Sequence, residues 1–326
     1  MKKIVTLCLS AGIQKTIEFS NIQLDKVNRS KNYRFDIAGK AVNSSRVLSQ
    51  LAEKFENQLS KDDIKQNITL ICPLGEKNVD FWNELSEKEN FTQKNILIPG
   101  FTRECCTLIE ENPFRVTELV VEEPKIQDEN QAEKIAEVLS TLEGELSQNQ
   151  EKSIALLVAG SVPSYFSSDA MNIMVEIAKI AKNQNVLFMA DFKGKTLLDL
   201  IPNYVPEIIK INEEEFLETF YPEKIEKEAS LCDTILSELI SEKSRELANI
   251  IVVTRGEKST ILASSGNVIF GDVEKITPKN TIGCGDAFNA GFLYEFVKSK
   301  DVEKSLKMGT YAASRNAENI APGSIL

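Results

Sequence analysis

The stretch "NTIGCGDAF" at positions 280–288 decides how the rest of the chain is interpreted. Behind it, apolar residues at positions 288, 292, 296 and 297 share one helical face, which predicts a helix that begins at about Gly285 or Asp286. A glycine-rich turn therefore stands at a helix N-terminus, where unpaired backbone N–H groups and the helix dipole attract an anion. Glycine also lets the backbone approach a phosphate closely. We expect the N–H groups of Gly283, Cys284 and Gly285 to form an anion hole.

Asp286 adds a second chemical function directly beside this turn. Transfer of a phosphoryl group requires donors that hold the moving charge and an acceptor for the proton of the attacking hydroxyl. The sequence contains no histidine, which excludes histidine bases and histidine zinc sites and leaves a carboxylate to accept that proton. An ordinary aspartate pKa near ~3.9 would keep Asp286 ionised at pH 7. The simpler interpretation is that Asp286 only caps the helix, a contribution of roughly 1 kcal/mol.

Composition limits which binding partners and which cellular compartment are expected. The chain has 326 residues, 42% of them hydrophobic, and its 38 basic and 49 acidic residues give a net charge of -11. This balance disfavours nucleic acid and anionic membrane surfaces as partners, and no window approaches the ~20 apolar residues that span a bilayer. Six cysteines without a C-x-x-C pair favour reduced thiols in a cytoplasmic protein.

Short apolar runs alternate with helical patterns along the chain. Strands are predicted at 3–9, 68–72, 154–160, 186–191, 207–212 and 249–256. Helical stripes run through positions 48–59 and 132–142, and a third helix is predicted over 167–184 with a Ser or Asp cap. This alternation predicts an α/β fold with a mostly parallel sheet.

Two segments, 15–37 and 95–120, break this alternation because they look extended and carry few helix signals. They are able to pair into a small separate sheet. Edge hairpins and a lid over a cleft are both compatible with the pattern, and the pattern alone leaves the two interpretations open.

Five collinear motifs resemble those of the phosphofructokinase B and ribokinase family of sugar kinases. They are "FDIAGKAVNSSRVL" (35–48), "LVAGSVP" (157–163), "IIKINEEEF" (208–216), "VVTRGEKSTIL" (252–262) and "NTIGCGDAFNAGF" (280–292). The opening "VTLCLSAGIQKT", with "LDKVNR" and "FTRECCTLI", is similar to the branch of 1-phosphofructokinases and tagatose-6-phosphate kinases. The motifs extend over nearly the whole chain.

The resemblance implies a ribokinase-like domain that occupies residues 1–326, with three α/β/α layers and a small β-sheet lid formed by about 15–37 and 95–120. It implies that ATP and magnesium are required and that a hydroxyl of a phosphorylated ketohexose is phosphorylated. Fructose 1-phosphate, fructose 6-phosphate and tagatose 6-phosphate are substrates of this type. The exposed edges of a lid sheet also offer a surface for a homodimer.

The resemblance further implies roles at matching positions. Asp286 would be the catalytic base, with Thr281 near the anion hole. The nucleotide-binding residues would be Asn212, Glu215, Thr254 and Gly256, of which Asn212 and Glu215 also help to place magnesium, indirectly. The substrate-binding residues would be Gln14, Gly39, Lys40, Asn43 and Arg103, with Arg103 at the substrate phosphate.

Most departures from the family motifs fall on the substrate side. Gln14 stands where the family has a sugar-binding aspartate, and Ala38 and Ala41 replace glycines of the sugar signature. Cys284 replaces the usual alanine of the anion hole. These changes leave open a kinase of an unphosphorylated sugar or nucleoside, and a sugar- or nucleotide-binding relative without catalysis.

Overall fold

The computed structural model describes residues 1–121, 130–147, 154–168, 171–225 and 232–326. Its strands are β1 (Ile4–Leu7), β2 (Gly12–Phe19), β3 (Tyr33–Ala38), β4 (Ile68–Gly75), β5 (Thr92–Ile98), β6 (Arg103–Glu111), β7 (Phe114–Val120), β8 (Ala155–Ala159), β9 (Ser167–Ser168), β10 (Met171–Asn172), β11 (Leu187–Asp191), β12 (Ile208–Asn212), β13 (Ile250–Arg255), β14 (Lys258–Ser264) and β15 (Asn267–Gly271). Its α-helices are α1 (Lys40–Phe55), α2 (Lys61–Asn67), α3 (Val79–Ser86), α4 (Gln131–Ser147), α5 (Ile173–Asn183), α6 (Gly194–Leu200), α7 (Glu213–Phe220), α8 (Pro222–Ile225), α9 (Asp233–Leu247), α10 (Cys284–Ser299) and α11 (Val302–Ala317).

Nine strands form the central sheet in the order β15-β14-β13-β12-β11-β8-β1-β4-β5. The seven strands from β13 to β5 in this order are parallel, and β14 and β15 add an antiparallel edge. All six strands predicted from apolar runs are confirmed. Their continuous apolar character follows from burial on both faces of a parallel sheet.

Helices cover both faces of this sheet, which gives the predicted three layers. Along β8, Leu157 packs into the core under α1 and α10, while Leu156 packs into the core under α4 and α5. Both side chains are fully buried, and burial of one leucine contributes about 1.5–3 kcal/mol. No helix in the described ranges is long and apolar enough to cross a membrane.

The predicted helix over 167–184 is wrong at its start. Helix α5 begins at Ile173 because the Asn172 side chain accepts a hydrogen bond from the backbone N–H of Met174 at 3.1 Å. The residues before it form the short hairpin of β9 and β10, and positions 169–170 lie outside the described residues. The cap is therefore an asparagine inside the predicted helix, not the serine or aspartate upstream.

A second sheet of four strands, in the order β3-β2-β6-β7, lies apart from the central one. We call it the lid sheet. It contains most of the segments 15–37 and 95–120, but with different bounds: β2 begins at Gly12, and residues 95–98 belong to the central sheet as part of β5. The reason is that β5 pairs with β4, with Asn95 opposite Cys72, and buries Ile96 in the core.

Candidate active site

The turn before α10 has the geometry that only glycine adopts easily. Gly283 precedes the helix with φ +83°, and a Cβ there would lie 2.5 Å from the backbone nitrogen of Gly323. The helix begins at Cys284, one residue earlier than predicted. The N–H of Cys284 reaches the carbonyl of the exposed Thr281 only at 3.4 Å, which is a weak hydrogen bond. Because α10 begins here, the positive end of its helix dipole faces this turn.

Asp286 lies in the first turn of α10 and is buried against α1. Its Oδ2 accepts a hydrogen bond from Asn43 Nδ2 at 2.8 Å, and its backbone carbonyl accepts one from the Ser44 hydroxyl at 2.9 Å. Burial, and then the negative charge of Asp191, raise the pKa of Asp286 to about 6, although Lys40 and Asn43 act in the opposite direction. The expectation of an ordinary aspartate pKa is therefore wrong.

Asp191 at the end of β11 is a residue that the motifs did not identify. It is fully buried, and it accepts hydrogen bonds from Lys40 Nζ at 2.9 Å, from Lys210 Nζ at 3.1 Å and from Asn289 Nδ2. Burial acts to raise its pKa, but the two lysine ammonium groups outweigh burial and lower it. The pKa of Lys40 is raised in return, because Asp191 and Glu215 outweigh the effect of burial.

We call Lys40, Asp191, Lys210 and Asp286 the charged cluster. One sequence signal could have identified it. Asp191 and Lys210 are charged residues in strands that are otherwise apolar, at or near the carboxyl ends of neighbouring strands β11 and β12. Charged groups in such positions are rarely buried without a partner. Lys210 Nζ also lies 2.8 Å from the position of a Cβ on Gly285, so the absence of a side chain there admits the ammonium group beside the turn.

The predicted nucleotide residues lie on the next two strand ends. Asn212 and Glu215 cap α7 reciprocally: each side chain accepts a hydrogen bond from the backbone N–H of the other residue. Thr254 is the register partner of Asn212 on β13. Gly256 follows in the turn before β14, with φ +62° and open space where a Cβ would be. Glu215 alone approaches the charged cluster, with Oε1 3.9 Å from Lys40 Nζ.

The substrate-side residues fall into two groups. Lys40 bonds Asp191, and Asn43 bonds Asp286. Gly39 lies directly before α1 with φ +130°, where a Cβ would lie 2.7 Å from Cys8 Sγ. Gln14 and Arg103 instead belong to the lid sheet. Gln14 Nε2 donates to Thr107 Oγ1 at 2.6 Å, so this amide is already engaged within the lid.

Arg103 begins β6 at a cavity where the lid meets the central sheet. Its Nη2 approaches the Ser10 carbonyl at 3.4 Å. The cavity is lined by Ser10 and Ala11 and by the aromatic side chains of Phe101 and Tyr165. A cationic group at a mostly apolar cavity is suited to an anionic ligand with a carbon skeleton.

The donor set fits a polyphosphate better than a metal ion held by protein alone. Two lysine ammonium groups and a helix N-terminus surround Asp286, all of which attract phosphate oxygens. Among the described residues no group of three or more His, Cys, Asp or Glu side chains could hold a metal ion. Asn212 and Glu215 each use one oxygen in the helix cap. Such a set fits a magnesium ion that keeps water and phosphate ligands.

The strand ends of this parallel α/β fold meet a buried aspartate, two lysines and a glycine turn. This arrangement defines a class of phosphate-binding enzyme. The pfkB family carbohydrate kinase profile matches residues 6–324. The chain therefore belongs to the pfkB family of carbohydrate kinases, which confirms the resemblance of the motifs. Membership implies ATP as the phosphoryl donor and a divalent metal ion.

Similar proteins agree with this assignment. The chain is 28% identical to a 1-phosphofructokinase of Borreliella burgdorferi over 319 residues, 96% of this chain and 91% of the relative. It is 25% identical to a tagatose-6-phosphate kinase of Staphylococcus epidermidis over 326 residues, 99% of this chain and 94% of the relative. These two relatives represent the branch that the sequence indicated.

Solved structures confirm the ribokinase-like fold. Phosphofructokinase-2 from Escherichia coli superposes with a TM-score of 0.78 at 18% identity, covering 98% of this chain and 94% of that one. Ribokinase from Thermotoga maritima superposes with a TM-score of 0.68 at 16% identity, covering 99% and 95%. A further structure of the Escherichia coli enzyme is of a tetrameric inhibited form.

Proposed function

We propose that this chain transfers a phosphoryl group from ATP to a hydroxyl of a phosphorylated ketohexose such as fructose 1-phosphate, fructose 6-phosphate or tagatose 6-phosphate. The observation that carries the proposal is Asp286, a buried carboxylate beside two lysines and an anion-binding turn. The substrate class is supported by the names of the relatives, and by the position of Arg103 at a mostly apolar cavity.

ATP bound with Mg²⁺ would supply the phosphoryl group and part of the positive charge around it. Asp286 accepts the proton of the attacking hydroxyl, and a pKa of about 6 matches a base that works near neutral pH. Asn43 holds one oxygen of that carboxylate at 2.8 Å, so the other oxygen is oriented for the substrate. The turn from Thr281 to Gly285 and the ammonium group of Lys210 stabilise the charge that develops on the phosphoryl oxygens.

The remaining residues divide between nucleotide and sugar. Asn212 and Glu215, which order the start of α7, would hold the water shell of magnesium, and the Thr254–Gly256 turn would lie along the nucleotide. The Gln14 amide oxygen and the Gly39 backbone would contact the sugar hydroxyl groups, while Gln14 Nε2 stays bonded to Thr107. Lys40 would approach both ligands, because its ammonium group lies between Asp191 and Glu215.

Arg103→Ala is expected to raise the KM for the preferred ketohexose phosphate about 10-fold or more, since a charge-assisted hydrogen bond contributes about 1.5–3 kcal/mol. The measurement is initial-rate kinetics with ATP, Mg²⁺, the three phosphosugars and the free sugars. Arg115→Ala is the matched control, because Arg115 lies in the lid sheet but pairs with Glu110. Unchanged KM values for every phosphosugar, or turnover of free sugars alone, would contradict the proposed substrate class. ATP and sugar binding without turnover would identify a non-catalytic relative.

We propose that two copies pair through the β7 edge of the lid sheet, where Leu119 and Val120 are 52% and 54% exposed. Light scattering should then give about twice the chain mass of 36.4 kDa. Replacing both residues by lysine should yield a monomer, because charges block pairing of strand edges. Leu198→Lys, at an exposed leucine of α6, should leave the dimer intact. A monomeric wild-type protein would refute this assembly.

A cytoplasmic location belongs to the same proposal. None of the six cysteines, all within the described residues, forms a disulfide, as expected in a reducing compartment.

A further inference from the structure

The segment 318–326, which follows α11, is packed between α1 and the turn that precedes α10. The backbone N–H of Ile325 donates to Gln50 Oε1 at 2.7 Å, and Arg46 Nη1 donates to the carbonyl of Pro322 at 3.0 Å. Gly323 fits so closely against Asn43 that a Cβ would lie 2.5 Å from that side chain. The segment is therefore part of the wall behind the active site.

Two buried side chains, Asn280 and Asn316, connect this segment to the turn. Asn280 Nδ2 donates to the carbonyl of Ile320 at 2.8 Å, and its Oδ1 accepts from the N–H of Ile282 at 2.9 Å. Asn316, on the last turn of α11, is fully buried. Its Nδ2 lies 2.9 Å from the carbonyl of Ile282 and 3.3 Å from Cys284 Sγ, and its Oδ1 accepts from the N–H of Ser324 at 3.0 Å. Because both ends of the amide are engaged, its orientation is fixed.

We infer that Asn316 is a positioning residue for the anion-binding turn, an inference that rests on the proposed phosphoryl transfer. Gly283 has no side chain that could hold the turn, and glycine backbone adopts many conformations. The amide of Asn316 therefore fixes the residues on both sides of Gly283, namely Ile282 and Cys284. Donors to a developing charge must be held closely, because a displacement of ~1 Å costs on the order of 100-fold in rate.

Asn319 provides a matched control within the same segment. Its Nδ2 donates to the carbonyl of Arg315 at 2.9 Å and to that of Ser324 at 3.3 Å. Asn316 and Asn319 thus hold the same Ser324 backbone, but the turn is bonded to Asn316. Replacing Asn319 removes a contact that holds the segment only. Replacing Asn316 removes contacts that hold both the segment and the turn.

Asn316→Ala should lower kcat at least ~10-fold, with the KM for the phosphosugar changed by less than about 2-fold, because the lid-side contacts remain. Asn319→Ala should change both values by less than about 2-fold. Asn316→Ser is a second variant that keeps a polar side chain, whose hydroxyl is able to bond the preceding turn of its own helix. It should reproduce the loss of kcat because its hydroxyl is too short to reach the turn.

A second measurement needs no substrate. Iodoacetamide labelling of Cys284, followed by mass spectrometry, should be several-fold faster in both Asn316 variants than in the wild type or Asn319→Ala. Equal kcat and equal labelling in the Asn316 and Asn319 variants would overturn the positioning role. A wild-type protein that phosphorylates none of the sugars would refute the proposed function, while the labelling rates would still decide whether Asn316 holds the turn.

Discussion

Asp286→Asn should lower kcat at least ~100-fold and, at the same pH, make the folded protein more stable. The rate falls because the amide cannot accept the proton of the attacking hydroxyl. Stability rises because a buried charge that faces Asp191 has been removed. The pKa of Asp286 is raised from 3.8 to about 6, and a rise of this size corresponds to roughly 3 kcal/mol against the ionised form.

The size of the stability effect depends on pH in a way that can be measured. A carboxyl group with a raised folded-state pKa destabilises the fold fully above about pH 6, and this penalty disappears as the pH falls towards 3.8. Urea unfolding should therefore give a large gain for Asp286→Asn at pH 8 and a small gain near pH 4.5.

Asp233→Asn is the control for this experiment, because Asp233 is also in the first turn of a helix but is exposed and bonds Arg255. It should leave kcat unchanged and should not stabilise the protein. Near-normal turnover in Asp286→Asn would show that Asp286 is not the base.

Asp191→Asn should destabilise the protein by about 3–5 kcal/mol, the effect of leaving a buried partner charge uncompensated. The partner is the ammonium group of Lys210, whose side chain is 5% exposed. Asn289 also loses a charged acceptor. The expected loss should appear as a lower midpoint of urea unfolding at pH 7.

The same substitution should change the pH dependence of catalysis. In the wild type, kcat/KM should fall on the acid side with an apparent pKa of about 6, as Asp286 becomes protonated. Removal of the Asp191 charge lowers the pKa of Asp286, and the freed lysine ammonium groups lower it further. The acid limb should therefore move to lower pH.

Asp36→Asn distinguishes the loss of stability from the change in the pH dependence of catalysis. Asp36 is a lid carboxylate, 2% exposed, that pairs with Arg34 and Lys88. Its replacement should also destabilise the protein but should leave the acid limb near pH 6. An acid limb that stays in place in Asp191→Asn would refute the electrostatic coupling of the two aspartates.

Much of this fold could be predicted because the signals are local. Continuous apolar runs identified six strands, and the spacing after "GCGD" identified α10 within one residue. The family motifs led to Lys40, Asn43 and Asp286, which the structure brings together. Their roles in catalysis stay predictions.

The parts that could not be predicted depend on contacts between distant segments. Asp191 lies outside the motifs, and Lys210 lies in the 208–216 motif but had no role assigned to it. Their effect on Asp286 exists only where three elements meet. Asn316 is 34 positions from its hydrogen-bond partner Ile282. The pKa of Asp286 could not be read from its neighbours in sequence, because burial and Asp191 set it. The lid bounds were shifted because polar residues in β5 concealed the burial of Ile96.

The lid sheet carries two residues that are predicted to bind the substrate, Gln14 and Arg103, whereas the residue predicted to act as the base lies outside it. Strand β2 carries Gln14, and β3 ends at Ala38, one residue short of α1. Asp191 and Asp286 instead belong to the central sheet and to α10. Two of the three substrate-side departures from the family motifs lie in these lid strands, and the third, Ala41, lies in the first turn of α1. With the proposed roles, substitutions in the lid strands would change which sugar is recognised without altering the residues proposed for phosphoryl transfer. Specificity and catalysis would then be able to vary independently in this fold.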